Sequence, residues 1–307
     1  MQAPSDTGIT SRSQLAGVML ALTAVIIWSG NFILSRGVIS KIGPVSFAFY
    51  RWLLASLLIA PLAWSQLRAA FRFFLQNKFY LFAVALTGIA IFNTCVYIAG
   101  HHTSAINMAL IGTTSSPVFA TVMAVVFLKE RLTFARLAGM LLCLSGILLL
   151  LSGGSLQQLA AFRFSRGDLW ILAGAFAFAV YSILVKRKPA TLPPVAFLFV
   201  VFALGTFLLF PFYLYESHYT PATDWSWPLG AAILYVALGA SVISFLCWNN
   251  AIQTLGATRT VLFGNLIPVF STLEAVALLH ESITAIHIYS GILVIAGIII
   301  ANRRTKT

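Results

Sequence analysis

Of the chain's 307 residues, 60% are hydrophobic and only 8% are charged, and no polar segment between apolar stretches is long enough for a soluble domain. The net charge of +12 does not mark a nucleic-acid binder, because the basic residues sit at the ends of hydrophobic runs, where they carry topology information.

Ten apolar stretches follow one another, each long enough to cross a bilayer as a helix. They are predicted at 14–34, 44–63, 79–100, 104–128, 133–151, 168–186, 194–215, 228–250, 256–279 and 284–302. The runs are too long for barrel strands and lack period-two alternation. The expected fold is therefore an all-α integral membrane protein. Met1–Ser13 is a short polar tail, and the run after it is longer than a signal-peptide core, so it is read as a retained first helix. Gly43-Pro44 and Pro193-Pro194 open the second and seventh spans, where proline loses no helical hydrogen bond. Cys95, Cys143 and Cys247 each sit alone in an apolar run, with no metal-ligand spacing.

With the N-terminus inside, the cytoplasmic side receives 13 Lys and Arg residues and the outer side 4, which places both termini in the cytoplasm.

The pattern is written twice. Gly43-Pro44-Val45-Ser46-Phe47 corresponds to Pro193-Pro194-Val195-Ala196-Phe197, Gly88 to Gly239, Pro117 to Pro268 and Gly146 to Gly297. Lys129-Glu130-Arg131-Leu132-Thr133 corresponds to His280-Glu281-Ser282-Ile283-Thr284. Each half holds five spans, an odd number, so the second half is expected upside down. The expected parts are a cytoplasmic tail (1–13), a first five-helix repeat (14–151), an external linker (152–167), an inverted second repeat (168–302) and a cytoplasmic tail (303–307), with a central cavity between the repeats.

Trp28-Ser29-Gly30-Asn31-Phe32, Glu130-Arg131-Leu132-Thr133 and Glu281-Ser282-Ile283-Thr284 give the chain a resemblance to the drug/metabolite transporter superfamily. Within it, the chain resembles the EamA group of two five-helix repeats, and more narrowly the YddG-type exporters of aromatic amino acids. The resemblance implies efflux of amino acids or related metabolites across a bacterial inner membrane. It departs in the second half, where Phe178 and Tyr181 stand in place of Trp28 and Asn31.

Paired side chains at helical spacing are expected to line the cavity: Trp28 with Asn31, Asn93 with Tyr97, Phe178 with Tyr181, and Ser244 with Trp248. Phe92, Ser115 and Asn265 join them. Aromatic faces suit an apolar solute, and amides and hydroxyls suit its polar ends. The same residue types also anchor and glue helices in membranes. Pro117 and Pro268 are expected hinges, with tolerated kinks as the alternative. Two charges fall inside spans. Arg51 either recognises a carboxylate or reaches for the outer interface beside Trp52. Glu274 either binds a proton or snorkels. Arg259 is placed at the inner headgroups. Gly139 and Gly146, matched by Ser290 and Gly297, imply close helix packing within a monomer or across a dimer.

The resulting expectation is a secondary transporter exporting hydrophobic or aromatic amino acids by alternating access. It would have a small-molecule substrate, a lipid surround and no cofactor, metal or nucleic acid. Other metabolites or drugs are the alternative cargo. A membrane-embedded enzyme would need an acid–base pair or metal ligands within the spans, which the sequence does not offer. A phosphate-substrate antiporter would need several central Lys or Arg.

Overall fold

The computed structural model describes residues 11–38, 41–102, 105–129, 132–155, 157, 160, 165–188, 192–220, 223–279 and 284–302. The turns at Glu130-Arg131 and at 280–283, the tail residues 1–10 and 303–307, and much of the linker lie outside them.

The chain forms helix after helix: α1 Ser11–Val38, α2 Pro44–Ala63, α3 Leu67–Gln76, α4 Lys78–His102, α5 Ala105–Leu128 and α6 Phe134–Leu151. The second half gives α7 Arg166–Lys186, α8 Pro194–Tyr219, α9 Trp227–Leu255, α10 Ala257–Leu262, α11 Ile267–Leu279 and α12 Ala285–Asn302. Among the described residues, six stretches are long and apolar enough to cross a membrane: Ser13–Gly30, Pro44–Gln66, Lys78–His102, Arg166–Lys186, Pro194–Tyr219 and Trp227–Leu255. Shorter apolar helices run over Ser115–Leu128, Phe134–Leu149 and Ala285–Ala301. The described residues contain no strand.

Two elements differ from the sequence expectation. The stretch between the second and third spans is the amphipathic helix α3, not a loop. Its Ala70 is buried, while Phe71 and Leu75 are exposed beside Arg68 and Arg72. Such a helix suits the boundary between headgroups and acyl chains. The expected ninth span is broken into α10, a 3-10 turn at Phe263–Leu266, and α11.

Local chemistry explains several boundaries. Asp168 and Ser165 exchange side-chain and backbone bonds in a capping box that opens α7. At α2, proline removes one orphan N–H, and the next two are satisfied from another helix. Glu216 near the end of α8 accepts from Val45 N at 3.1 Å and Ser46 N at 2.6 Å. The negative carboxylate also opposes the positive end of the α2 dipole. A Cβ on Gly43 would overlap the Glu216 carboxyl, so a larger residue there would have to displace this cap.

Packing pairs first-half with second-half helices: α6 with α12, α5 with α7, α2 with α8, α4 with α7, α1 with the C-terminal part of α9, and α1 with α11. Gly139 and Gly146 work within the chain. A Cβ on Gly139 would run into the Gly297 carbonyl, and one on Gly146 into the Ser290 carbonyl. These two contacts interchange under the 151-residue offset. Among the described residues, hydrogen bonds join repeat mates directly: Cys143 Sγ to Val294 O at 3.5 Å, and Ser56 Oγ with Thr206 Oγ1 at 3.4 Å.

Candidate functional site: an aromatic cluster beside a buried arginine

Both α4 and α9 widen into a π-turn at matching places, Leu86–Ile91 and Leu238–Ile243. A π-turn lengthens the hydrogen-bond step and frees carbonyls for other donors. Asn93 Nδ2 donates to the Gly88 and Ile89 carbonyls at 3.3 Å each, and Ser244 Oγ donates to the Gly239 carbonyl at 3.0 Å. Both side chains thus turn back onto their own helices. The Ala240 carbonyl, in the second π-turn, accepts from Trp28 Nε1 at 2.8 Å and from Arg51 Nη2 at 3.0 Å.

Around that carbonyl lies a cluster of rings drawn from both halves. The Trp28 centroid is 4.9 Å from Trp248, 5.9 Å from Phe178 and 5.7 Å from Phe245. Phe178 lies 4.6 Å from Phe92, 5.8 Å from Tyr181 and 5.7 Å from Trp248. Phe178 and Tyr181 are stacked and the other pairs are tilted or edge-on, spacings and angles that ring quadrupoles favour over a face-to-face sandwich. Tyr181 and Trp248 are fully buried, whereas Trp28 and Phe92 are half-buried. Tyr181 packs on Gly88, where a Cβ would overlap its ring. Its hydroxyl donates to Asn249 Oδ1 at 2.6 Å. Asn249 Nδ2 and Trp248 Nε1 are buried without a hydrogen-bond partner among the described residues.

Arg51 does not reach for an interface; it is 3% exposed. Its Nε donates to Ser241 Oγ and its Nη1 to Tyr97 Oη, both at 2.7 Å, and its guanidinium carbon sits 4.8 Å from the Trp52 ring centre. Tyr97 also packs edge-on against Phe47 at 5.1 Å. Glu274 is half-buried. Its Oε1 meets Ser29 Oγ at 2.6 Å, and Oε2 is buried without a hydrogen-bond partner among the described residues. Ser29 directly follows Trp28, so the carboxyl abuts the helix segment that carries the cluster.

The expected cavity residues therefore separate. Trp28, Phe92, Phe178, Tyr181 and Trp248 come together, and Tyr97 joins them through Arg51. Ser115 bonds its own helix at Ile111 and faces a groove between α5 and α6 with Val118, Phe119, Leu144 and Leu148. Asn265 is fully buried on the 3-10 turn. Neither end of its amide finds a partner of ordinary geometry among the described residues, and the neighbouring Cys143 thiol is a weak one. The side chain of Asn31 lies outside the described residues. α5 runs through Pro117 without a break, whereas Pro268 is the second residue of α11, just beyond the 3-10 turn.

Phe245, Asn249, Ser241 and Ser29 were not singled out by the sequence pattern. A signal existed for the π-turns: each matched glycine is followed five residues later by a side chain able to bond its freed carbonyl, Asn93 or Ser244.

Comparison with known proteins agrees with this architecture. The model of the EamA-like transporter family matches residues 15–152 and again 165–303. An "Uncharacterized transporter" of Archaeoglobus fulgidus is 30% identical over 92% of this chain and 95% of its own length. The "Uncharacterized transporter YyaM" of Bacillus subtilis is 28% identical over 93% of both chains. A "Probable terminal-alkyne amino-acid exporter" of Streptantibioticus cattleyicolor is 27% identical over 62% of each chain. A solved crystal structure shares the fold with a TM-score of 0.75 at 20% identity, over 95% of this chain and 96% of its own. The protein is thus a multi-pass membrane transporter and not an enzyme. With its model matched once in each half, the chain belongs to the EamA-like transporter family.

Proposed function

We propose that this protein is a secondary transporter that exports amino acids, with aromatic and other hydrophobic side chains as the preferred cargo. The observation that carries this reading is the cluster of Trp28, Phe92, Phe178, Tyr181, Phe245 and Trp248, contributed by α1, α4, α7 and α9. Its rings lie against one another, so a flat apolar side chain enters by exchanging ring–ring contacts for its own. The rings come from both halves, so rocking the halves apart opens the cluster. The "Probable terminal-alkyne amino-acid exporter" of Streptantibioticus cattleyicolor, a partial relative, supports an amino acid as cargo and the outward direction.

The transport cycle we propose is alternating access by two inverted five-helix halves in a bacterial inner membrane. The exchange of Gly139–Gly297 for Ser290–Gly146 under the repeat offset supports a two-fold relation. So do the repeat-mate bonds Cys143–Val294 and Ser56–Thr206. Helices α4 and α9, with their π-turns, and the 3-10 break before Pro268 supply places where backbone geometry can change.

The test uses liposomes containing only the purified protein. Radiolabelled phenylalanine, tryptophan, leucine and threonine are followed with and without a proton gradient. Saturable flux of phenylalanine and tryptophan above threonine is the expected result. Flux of none of the four from folded protein would overturn the amino-acid reading.

A further inference from the structure

We infer that Arg51 is the carboxylate-binding residue of the transport site, so the cargo carries a free carboxylate. The inference rests on the transport reading above and sharpens it.

Arg51 is a permanently charged group buried among helices, and its three hydrogen bonds go to neutral oxygens of Ser241, Tyr97 and Ala240. A guanidinium has five N–H donors, so two remain. None of the described residues brings a carboxylate to it. Glu216 is held by backbone N–H groups of α2, Glu274 by Ser29, and Asp168 by the cap of α7, while Asp224 is exposed. A buried cation without an opposite charge is strongly unfavourable unless its counter-charge arrives from elsewhere.

The second half shows that the fold does not require this charge. Under the repeat offset, Arg51 corresponds to Val201, Tyr97 to Trp248 and Ser241 to Ala90. Val201, Trp248 and Ala90 are all buried. The same packing position is thus filled by an apolar set on one side and by a cation with two hydroxyl partners on the other. A tie needed only for helix packing would serve both halves alike.

The charge is also placed to act with the aromatic cluster. Arg51 Nη2 and Trp28 Nε1 converge on one oxygen, that of Ala240. On α9, Trp248 Nε1 and Asn249 Nδ2 are buried donors without a partner among the described residues. The unused donors belong to the ring cluster, and the cation meets that cluster at the Ala240 oxygen, an arrangement that fits a carboxylate with an aromatic side chain attached a few bonds away. Two parallel N–H···O bonds from the guanidinium would hold it. A phosphate, with its greater charge, would need further cations at this place.

The experiment compares ligands on the purified full-length protein in detergent and in liposomes. Phenylalanine and 3-phenylpropionate are set against phenylalaninamide and phenethylamine, which keep the ring and lack the carboxylate. Thermal stabilisation and competition with labelled phenylalanine are read. The two acids should bind at least about tenfold more tightly than the two analogues without a carboxylate, because a buried cation built to pair rejects a ligand that leaves it unpaired. Arg51→Gln should remove that discrimination, and Arg51→Lys should keep part of it. A purely structural arginine would weaken all four ligands alike. Equal binding of phenylalanine and phenylalaninamide by the unaltered protein needs no variant to fold. It would overturn the role of Arg51 while leaving amino-acid transport standing. Stabilisation by none of the four ligands would overturn both.

Discussion

The Ser29 hydroxyl lies 2.6 Å from Glu274 Oε1 and also 2.6 Å from the Ile26 carbonyl oxygen. A hydroxyl has one proton and cannot donate to both. If the carboxyl keeps its own proton, it donates to Ser29 Oγ, which then donates to Ile26, and both contacts are satisfied. An ionised Glu274 would leave two oxygens facing each other and put charge on a buried Oε2 that has no hydrogen-bond partner among the described residues in either state. Tyr235, the titratable group facing this carboxyl from α9, uses its proton on the Ile27 carbonyl at 2.9 Å. Elsewhere around the site, α12 has His287, bound at Thr284, and Tyr289, which is exposed.

Glu274→Gln should therefore fold as well as the parent, since an amide donates to Ser29 as a neutral carboxyl does. Thermal unfolding in detergent should differ by less than about 0.5 kcal/mol, whereas Glu274→Ala should lose about 1 kcal/mol or more. Infrared spectroscopy supplies an independent check. A protonated-carboxyl band at neutral pH should vanish in Glu274→Gln. If Glu274→Gln unfolds as readily as Glu274→Ala, the shared-proton account is wrong.

Tyr181 separates ring from hydroxyl. Tyr181→Phe keeps the contacts with Phe178 and Phe245 and removes the bond to Asn249 Oδ1. It should lower stability by about 1–3 kcal/mol, because a buried amide oxygen loses its donor, and still carry phenylalanine. Tyr181→Ala and Trp28→Ala should lose transport, with thermal unfolding used to confirm that the variants are folded. Normal flux in both alanine variants would show that the cluster is packing and nothing more.

How legible was this in the sequence? The long helices were, because apolar length is a strong signal, and spans such as Pro44–Ala63 and Arg166–Lys186 follow it closely. The rings of Trp28, Phe178 and Trp248 were legible as well, since repeat matching pointed at equivalent depths in both halves. The directions of Asn93 and Ser244 were not. Helical spacing assumes an unbroken 3.6-residue turn, and each follows a π-turn that changes the phase and offers its own carbonyls. α3 is not legible as a span, because ten residues are too few to cross a bilayer and its apolar face is interrupted by Arg68 and Arg72. Arg51 could be recognised as unusual, but only packing shows that its partners are neutral.

Glu216 tests a role that no local pattern suggests. Its two oxygens take the backbone N–H groups of Val45 and Ser46, so the end of α8 fixes the start of α2. Glu216→Ala should destabilise the fold by about 1–2 kcal/mol, the range for losing a helix cap together with its dipole interaction. Glu216→Gln should lose less, since one amide oxygen still accepts. Thermal unfolding reads both, and an unchanged melting temperature in Glu216→Ala would remove the cap from the account.

Helices α6 and α12 approach each other through glycine. A Cβ on Gly139 meets backbone atoms of Gly297 and Ala301, and one on Gly297 meets Gly139 O, Cys143 Sγ and Cys143 N. Backbone cannot rotate aside as a flexible side chain does, so the helices must separate. Gly139→Ala and Gly297→Ala should each lower stability by about 1–3 kcal/mol, the usual range for overpacking. Because both residues fill the same contact, the double variant should fall short of the sum of the singles. Gly230 has open space where a Cβ would stand, so Gly230→Ala is the control and should stay within about 0.5 kcal/mol of the parent. Additive losses at Gly139 and Gly297 would mean that the two glycines do not meet in the folded protein.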